Sequence, residues 1–249
     1  MFTKQIRSPL SPEVLDIIRT VEAPTTIKPY TTNIKEWLSP IIDLSGFFVY
    51  PTNGITEGLN WFMSTTDKNI VREKGDYEWV DNISNRNEPS YRYISCPSSK
   101  DGNYREIPTD VAVALDIAYV GTTLPRKIPM TDNIDYVFYS LSKPFGVNGI
   151  RTGWLFTRHK EKKLHRLIYG ANYYNHYANA IAEAIIGNFT IDYVYKKYYN
   201  KQQEICNQFD LCPSDSVWLA TSLSDRYRDF IRADIARLCL TSLIDENLQ

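Results

Sequence analysis

Short apolar runs broken by glycine and proline turns fill the first two thirds of the chain. Residues 47–50, Phe-Phe-Val-Tyr, are continuous and apolar enough for a buried strand. Residues 68–73 and 91–95 read as two further short strands. Residues 111–115, Val-Ala-Val-Ala-Leu, are apolar throughout, as a strand covered on both faces must be. Residues 136–139 and 154–156 add two more. Helical spacing appears between them. Val14, Leu15, Ile17 and Ile18 predict a short amphipathic helix that Pro24 closes. Asn33 can cap a second helix running to Ile42, with Trp37, Leu38 and Ile41 on one face. A third, over 59–63, opens out of the turn at 51–58. Beyond residue 157 the pattern becomes long, polar and helical, over 158–168, 173–186 and 191–209. Strands at 216–220 and 235–242 follow.

With 249 residues, 43% hydrophobic and 23% charged, the chain holds one large domain or one domain plus a small one. A net charge of -1 gives no electrostatic case for nucleic acid or a membrane surface, and no apolar run reaches the length that spans a bilayer. Residues 1–5 lack the apolar core of a signal peptide. Cys96, Cys206, Cys212 and Cys239 show no Cys-x-x-Cys spacing and read as free thiols of a cytoplasmic protein. His159, His165 and His176 do not pair with cysteines at ligand spacing, so no metal site is expected.

The chemistry concentrates in residues 140–153, Ser-Leu-Ser-Lys-Pro-Phe-Gly-Val-Asn-Gly-Ile-Arg-Thr-Gly. Read as strand, turn and strand, this stretch offers the amine of Lys143, the hydroxyls of Ser140 and Ser142 and the guanidinium of Arg151 to one small anionic ligand. A lysine amine forms Schiff bases with aldehydes such as pyridoxal phosphate, and serines with an arginine fork suit its phosphate. The turn Gly54-Ile55-Thr56-Glu57 leads into a helix and presents backbone N–H groups at its positive end, a phosphate site that needs no particular side chain. Asp116 follows the buried 111–115 strand, at the edge where open α/β sheets bind ligands.

These stretches resemble, in order, the cofactor motifs of the fold-type I pyridoxal-phosphate enzymes. Among these they are most similar to the class I/II aminotransferases and their histidinol-phosphate aminotransferase branch. The family writes Ser/Thr-x-Ser-Lys, a glycine-rich turn and Arg-x-Gly. Thr152 stands where an aliphatic residue is usual. Asp116-Ile117-Ala118-Tyr119 resembles the family's Asp-x-Ala-Tyr. The resemblance implies a three-layer αβα large domain with a mostly parallel sheet over residues 26–180. A reduced small α+β domain would be built from 1–25 and 181–249. Spacers are short, and typical relatives are considerably longer.

The resemblance also implies roles. Lys143 would carry the cofactor as a Schiff base and move protons, with Asp116 on the pyridine nitrogen and Tyr119 on the phenolic oxygen. Gly54, Ile55, Thr56, Ser140, Ser142 and Arg151 would hold the phosphate. Tyr77 would stack on the ring, with Trp79 as the alternative. Ser99 stands where the family has an asparagine that bonds the phenolic oxygen, which puts that bond in question. Arg237 would clamp the substrate carboxylate, with an acidic helix at 245–248 behind it. A surface arginine is the competing reading. Tyr30 would touch the phosphate of a partner subunit in a homodimer with shared sites. The implied reaction moves an amino group between an amino acid and a keto acid. The alternatives are a lyase or decarboxylase using the same cofactor, or a non-catalytic dimeric protein that binds it.

Overall fold

The computed structural model describes residues 2–66, 68–83 and 91–245. Helices α1 (Pro12–Arg19) and α2 (Ile34–Leu38) precede strand β1 (Phe48–Thr52) and helix α3 (Ile55–Thr65). Strand β2 (Ile70–Arg72), helix α4 (Trp79–Ile83), and strands β3 (Tyr91–Ser95), β4 (Val113–Asp116) and β5 (Ile134–Ser140) follow. A single helical turn, α5 (Ser142–Phe145), leads to β6 (Gly153–Thr157). Then come α6 (Lys162–His165), continued as a π-turn, α7 (His176–Asn188) and α8 (Tyr193–Phe209). Strands β7 (Cys212–Pro213), β8 (Leu219–Ser222), β9 (Ile231–Arg232) and β10 (Ile235–Cys239) precede α9 (Thr241–Ile244).

Six strands form the main sheet in the order β1-β6-β5-β4-β3-β2. Strands β2 to β5 pair in parallel, and β6 runs antiparallel between β5 and β1. Alternation along β5 shows how the layers form. Phe138 faces α3, where a Cβ on Gly58 would sit 3.1 Å from the Phe138 ring, and Tyr136 on the same face meets Phe62 at 4.7 Å. Tyr139 points the other way, to Trp37 of α2 at 6.1 Å and Trp154 at 6.0 Å. Helices therefore cover both faces of a mostly parallel sheet, and the apolar run of β4 is buried throughout. Truncating a fully buried ring such as Phe138 in this layer costs about 3–5 kcal/mol.

A second, antiparallel sheet runs β7-β8-β10-β9. Thr3 bridges to Cys239, which joins the start of the chain to this sheet. Gln202 of α8 seals its inner end, with Nε2 2.9 Å from the carbonyls of Ser214, Ser216 and Leu219. Trp218 Nε1 donates to the Lys143 carbonyl at 2.8 Å and ties this sheet to the lysine turn.

Several elements differ from the sequence reading. Helix α2 stops at Leu38 because Pro40 has no N–H to continue it. The first helix ends at Arg19, ahead of Pro24, where Thr20 Oγ1 bonds back to Ile17. The lysine stretch is not a plain strand-turn-strand. Pro144 sits in the first turn of α5, where no N–H is needed, and Gly146 closes it at φ 69°. A side chain at Gly146 would meet the Pro9 carbonyl at 2.5 Å. The helix expected from 158 begins at Lys162, because Arg158 extends β6 and bonds the carbonyls of Ile134 and Thr131. Of the acidic segment 245–248, residues 246–248 lie outside the described residues.

Candidate active site

The parallel strands β4 and β5 end side by side, with Asp116 opposite Phe138 in the register. The chain leaving β5 turns at once into α5, so Lys143 rises over the same sheet edge as Asp116. Both line a cavity of about 360 Å³, within the range of small-molecule sites. Burial, reinforced by the nearby Arg237 guanidinium, pulls the Lys143 amine below its ordinary pKa and favours the neutral, nucleophilic form. Asp116 is 4% exposed. Its Oδ1 accepts from the Ala118 amide at 2.7 Å and its Oδ2 from the Tyr93 hydroxyl. Desolvation outweighs those donors and lifts its pKa to about 6.

One end of the cavity is a cup for an anion. Gly54 adopts φ 91° ahead of α3, and a Cβ there would lie 2.6 Å from Arg151 Nη2. Only glycine lets this backbone and guanidinium approach so closely. Arg151 donates from Nη2 to the Asn53 carbonyl at 2.8 Å, its guanidinium's one hydrogen bond among the described residues. The amides of Ile55 and Thr56 belong to the first helical turn and have no intrahelical partner. Ser140 Oγ donates to the Thr152 carbonyl at 2.8 Å and lies 3.0 Å from Ser142 Oγ. The two serines are thus held as a pair against the cup.

Tyr77 lines the cavity and its hydroxyl lies 2.8 Å from Thr56 Oγ1. Its loop is anchored by Asp76, which accepts from Arg105 Nη2 at 2.7 Å and from Ser95. The alternative, Trp79, is 38% exposed, with its Nε1 3.3 Å from Asn60 Oδ1, away from the cavity. Tyr119 also faces the cavity, and burial raises its hydroxyl pKa. Ser99 lines the wall, and its hydroxyl faces two acceptors, the Gly75 carbonyl at 3.0 Å and Asp76 Oδ1 at 3.4 Å. Both compete with a ligand for its one proton.

Arg237 reaches the cavity from β10 and is 7% exposed, so the competing reading of a surface arginine is wrong. Its Nη1 donates to the Ser99 carbonyl at 2.6 Å, its Nη2 to the Lys4 carbonyl at 2.7 Å, and its Nε has no partner among the described residues. Each Nη keeps a second N–H for a carboxylate.

Two features escaped the sequence. Arg232 lines the cavity, donating from Nε to Gly75 and from Nη2 to Asp76 carbonyls. Its register opposite Ile235 puts it on the same hairpin face as Arg237. Residues 4–6 also form part of the wall. Conversely, Tyr30 is not in this cavity. It is 6% exposed, its hydroxyl accepts from Trp154 Nε1 at 3.0 Å, and Tyr174 packs on it at 5.1 Å.

The cavity pairs a desolvated amine with a buried carboxylate, beside an anion cup and two further guanidinium groups. Comparison with solved structures shows which fold carries this arrangement. The chain superposes on an aminotransferase from Staphylococcus aureus with a TM-score of 0.65 at 12% identity, covering 96% of this chain and 89% of that one. It matches the pyridoxal-phosphate-bound C-S lyase of Staphylococcus hominis with a TM-score of 0.69 at 11% identity, covering 97% and 86%. It matches histidinol-phosphate aminotransferase from Sinorhizobium meliloti, in complex with pyridoxal 5'-phosphate, at 0.62 and 16% identity, covering 97% and 89%. No family model and no curated protein matches by sequence. The fold is that of the fold-type I aminotransferases, as the motifs implied.

Proposed function

We propose that this chain is a pyridoxal-phosphate-dependent aminotransferase, moving an amino group between an amino acid and a keto acid. The observation that carries the reading is the meeting of Lys143 and Asp116 in one cavity with the Gly54–Arg151 anion cup. The residues fit the cofactor: an amine whose pKa is lowered by burial, a buried carboxylate, and a cup whose glycine sits at a φ where a Cβ is strained and crowds Arg151. When bound, the cofactor supplies an electron sink for the carbanion left by Cα–H cleavage.

The protein's own groups do the rest. Lys143 Nζ would hold the cofactor and, once free, would serve as the base that takes the proton from the substrate Cα and hands it on. Asp116 would face the pyridine nitrogen and favour its protonated form. Tyr119 would serve the ring oxygen, and Tyr77 the ring face. Arg151, the serine pair and the first turn of α3 would hold the phosphate. Arg237 would orient the substrate carboxylate. A homodimer with shared sites and a cytoplasmic location belong to the same reading. The four free cysteines suit a reducing compartment.

The test is reconstitution with pyridoxal phosphate, borohydride reduction and peptide mapping. The adduct is expected on Lys143, and keto acid should form from at least one of a panel of amino donors. Lys143→Ala should abolish both. Labelling elsewhere refutes the assignment. Release of thiol, ammonia and pyruvate from cysteine conjugates, with no transfer of the amino group to an added keto acid, would favour the lyase reading, which the fold of the C-S lyase supports. A labelled Lys143 with no turnover of any donor would favour the non-catalytic one.

A further inference from the structure

Tyr93 stands in the middle of β3 with its side chain fully buried. Nothing about the core requires its hydroxyl. The ring packs against Phe138 at 6.3 Å, and a phenylalanine would fill that space without taking a polar group out of water. The hydroxyl has one partner among the described residues, Asp116 Oδ2. Burial and the neighbouring Asp116 carboxylate push the phenol pKa far up, so the oxygen keeps its proton and is the donor.

Asp116 has a second donor on its other oxygen, the Ala118 amide at 2.7 Å from Oδ1. That amide comes with the turn that leaves β4. The phenol comes from the neighbouring strand. Tyr93 is opposite Ala114 and Ser95 opposite Asp116, so the phenol reaches two residues along one face of the sheet. Donors on both oxygens fix the carboxylate plane. They also act on its charge. Burial penalises the anion, and the buried carboxylate of Asp76 repels it. Arg105 pairs with Asp76 at 2.7 Å, and Lys143 lies across the cavity, but the Tyr93 proton is the largest influence in favour of the anion. The other ionisable groups around the cavity are Lys4, Tyr77, Tyr119, Arg151, Arg232 and Arg237. Among the described residues, only Tyr93 and Ala118 hydrogen-bond to Asp116.

We propose that Tyr93 is the positioning residue of Asp116: its hydroxyl holds the carboxylate in one plane and keeps it an anion, ready for a protonated ring nitrogen. An ionised carboxylate favours that protonated ring, whereas one deprived of its donor competes for the proton. The purpose rests on the cofactor reading, but the effect of Tyr93 on Asp116 is present without cofactor and is tested there first.

Tyr93→Phe removes the hydroxyl and leaves the ring. Cofactor-stripped wild type, Tyr93→Phe, Asp116→Asn and the double variant are unfolded in urea at a series of pH values. Subtracting each Asp116→Asn protein from its Asp116 parent isolates the carboxylate's own pH dependence. Folded Asp116 holds a proton that the unfolded chain has released. Its contribution therefore declines as pH rises and levels off near its folded pKa, about 6 in wild type. In Tyr93→Phe the levelling should come about one to two pH units later, because a hydrogen bond to the anion is gone. A merely structural role would lower stability equally at every pH and leave the levelling point in place. Tyr139→Phe is the control. That phenol is also fully buried but donates to the Val120 carbonyl at 3.2 Å, and its loss should not move the curve. Circular dichroism confirms folding, and Tyr93→Met takes over should the phenylalanine variant not fold. With pyridoxal phosphate restored, Tyr93→Phe should lose about tenfold in kcat with KM within about threefold. A levelling point within about half a pH unit of wild type overturns the proposal, as does a shifted point with kcat unchanged. Absence of turnover by wild type with every donor counts against the aminotransferase reading instead, and the cofactor-free shift then decides the proposal alone.

Discussion

Asp116→Asn should make the cofactor-free protein more stable and the enzyme inactive. Asp116 is buried, and its pKa rises from 3.8 to about 6 because burial costs the carboxylate more than its two donors return. That gap corresponds to roughly 3 kcal/mol of strain in the ionised, cofactor-free state, at 1.36 kcal/mol per pH unit. An asparagine can still accept from the Ala118 amide and can donate to the Tyr93 oxygen. The Tyr93 proton loses its anionic acceptor, which costs about 1–2 kcal/mol. The net gain is about 1–2 kcal/mol, or several degrees in Tm at roughly 2–4 °C per kcal/mol for a chain of this size.

The pH dependence gives the sharper check. Between about pH 4 and 6 the folded wild type holds a proton that the unfolded chain has released. Its stability therefore falls as pH rises through that window and is flat above it. The asparagine variant lacks this slope, so its advantage should be absent near pH 4 and complete by pH 7. Urea denaturation of cofactor-stripped protein at pH 4, 5, 6 and 8 measures it. With cofactor bound the order should reverse, because the ring nitrogen's proton gives the carboxylate its partner, and turnover by the variant should fall at least about a hundredfold. A variant less stable than wild type at pH 8, or a stability difference independent of pH, refutes the electrostatic argument.

Gly54→Ala places a Cβ 2.6 Å from Arg151 Nη2 at a backbone φ of 91°. Cofactor affinity by fluorescence titration should fall about tenfold or more, at a strain cost of about 1–3 kcal/mol. Ser99→Ala should leave cofactor affinity within about threefold and cost about 1 kcal/mol of stability, because its proton already has acceptors in the Gly75 carbonyl and Asp76. Gln202→Leu removes the donor to the Ser214 carbonyl and weakens those to Ser216 and Leu219, which keep backbone donors, and should lower stability by about 1–3 kcal/mol in urea titration, with the main-sheet site intact.

These outcomes also separate what was legible in the sequence from what was not. Asp116 and Lys143 could be foreseen in one place because each directly follows a buried strand, and parallel strands gather their C-terminal ends on one edge. Arg151 could be foreseen too, since a short turn and the antiparallel return of β6 bring it back beside Ser140, opposite Gly153 in the register. Arg232 could not. It sits in a polar stretch with no periodicity, and only the β9–β10 register turns it toward the cavity. The partners of the Ser99 hydroxyl were equally hidden, since its acceptors, the carbonyl of Gly75 at φ 98° and Asp76 Oδ1, lie 24 and 23 residues away. The surroundings of Tyr30 were hidden in the same way. Its place ahead of Gly54 resembled that of the family's phosphate-touching tyrosine, but its buried oxygen accepts from Trp154, 124 residues later, outside this cavity. Which groups approach the sheet edge is a local property of strands and turns. Where each donor hydrogen points is decided by partners distant in the chain. The surroundings of Ser99 and Tyr30 are therefore set by hydrogen bonds to residues far along the chain, while the Lys143–Asp116 pairing would need the strand order itself to change.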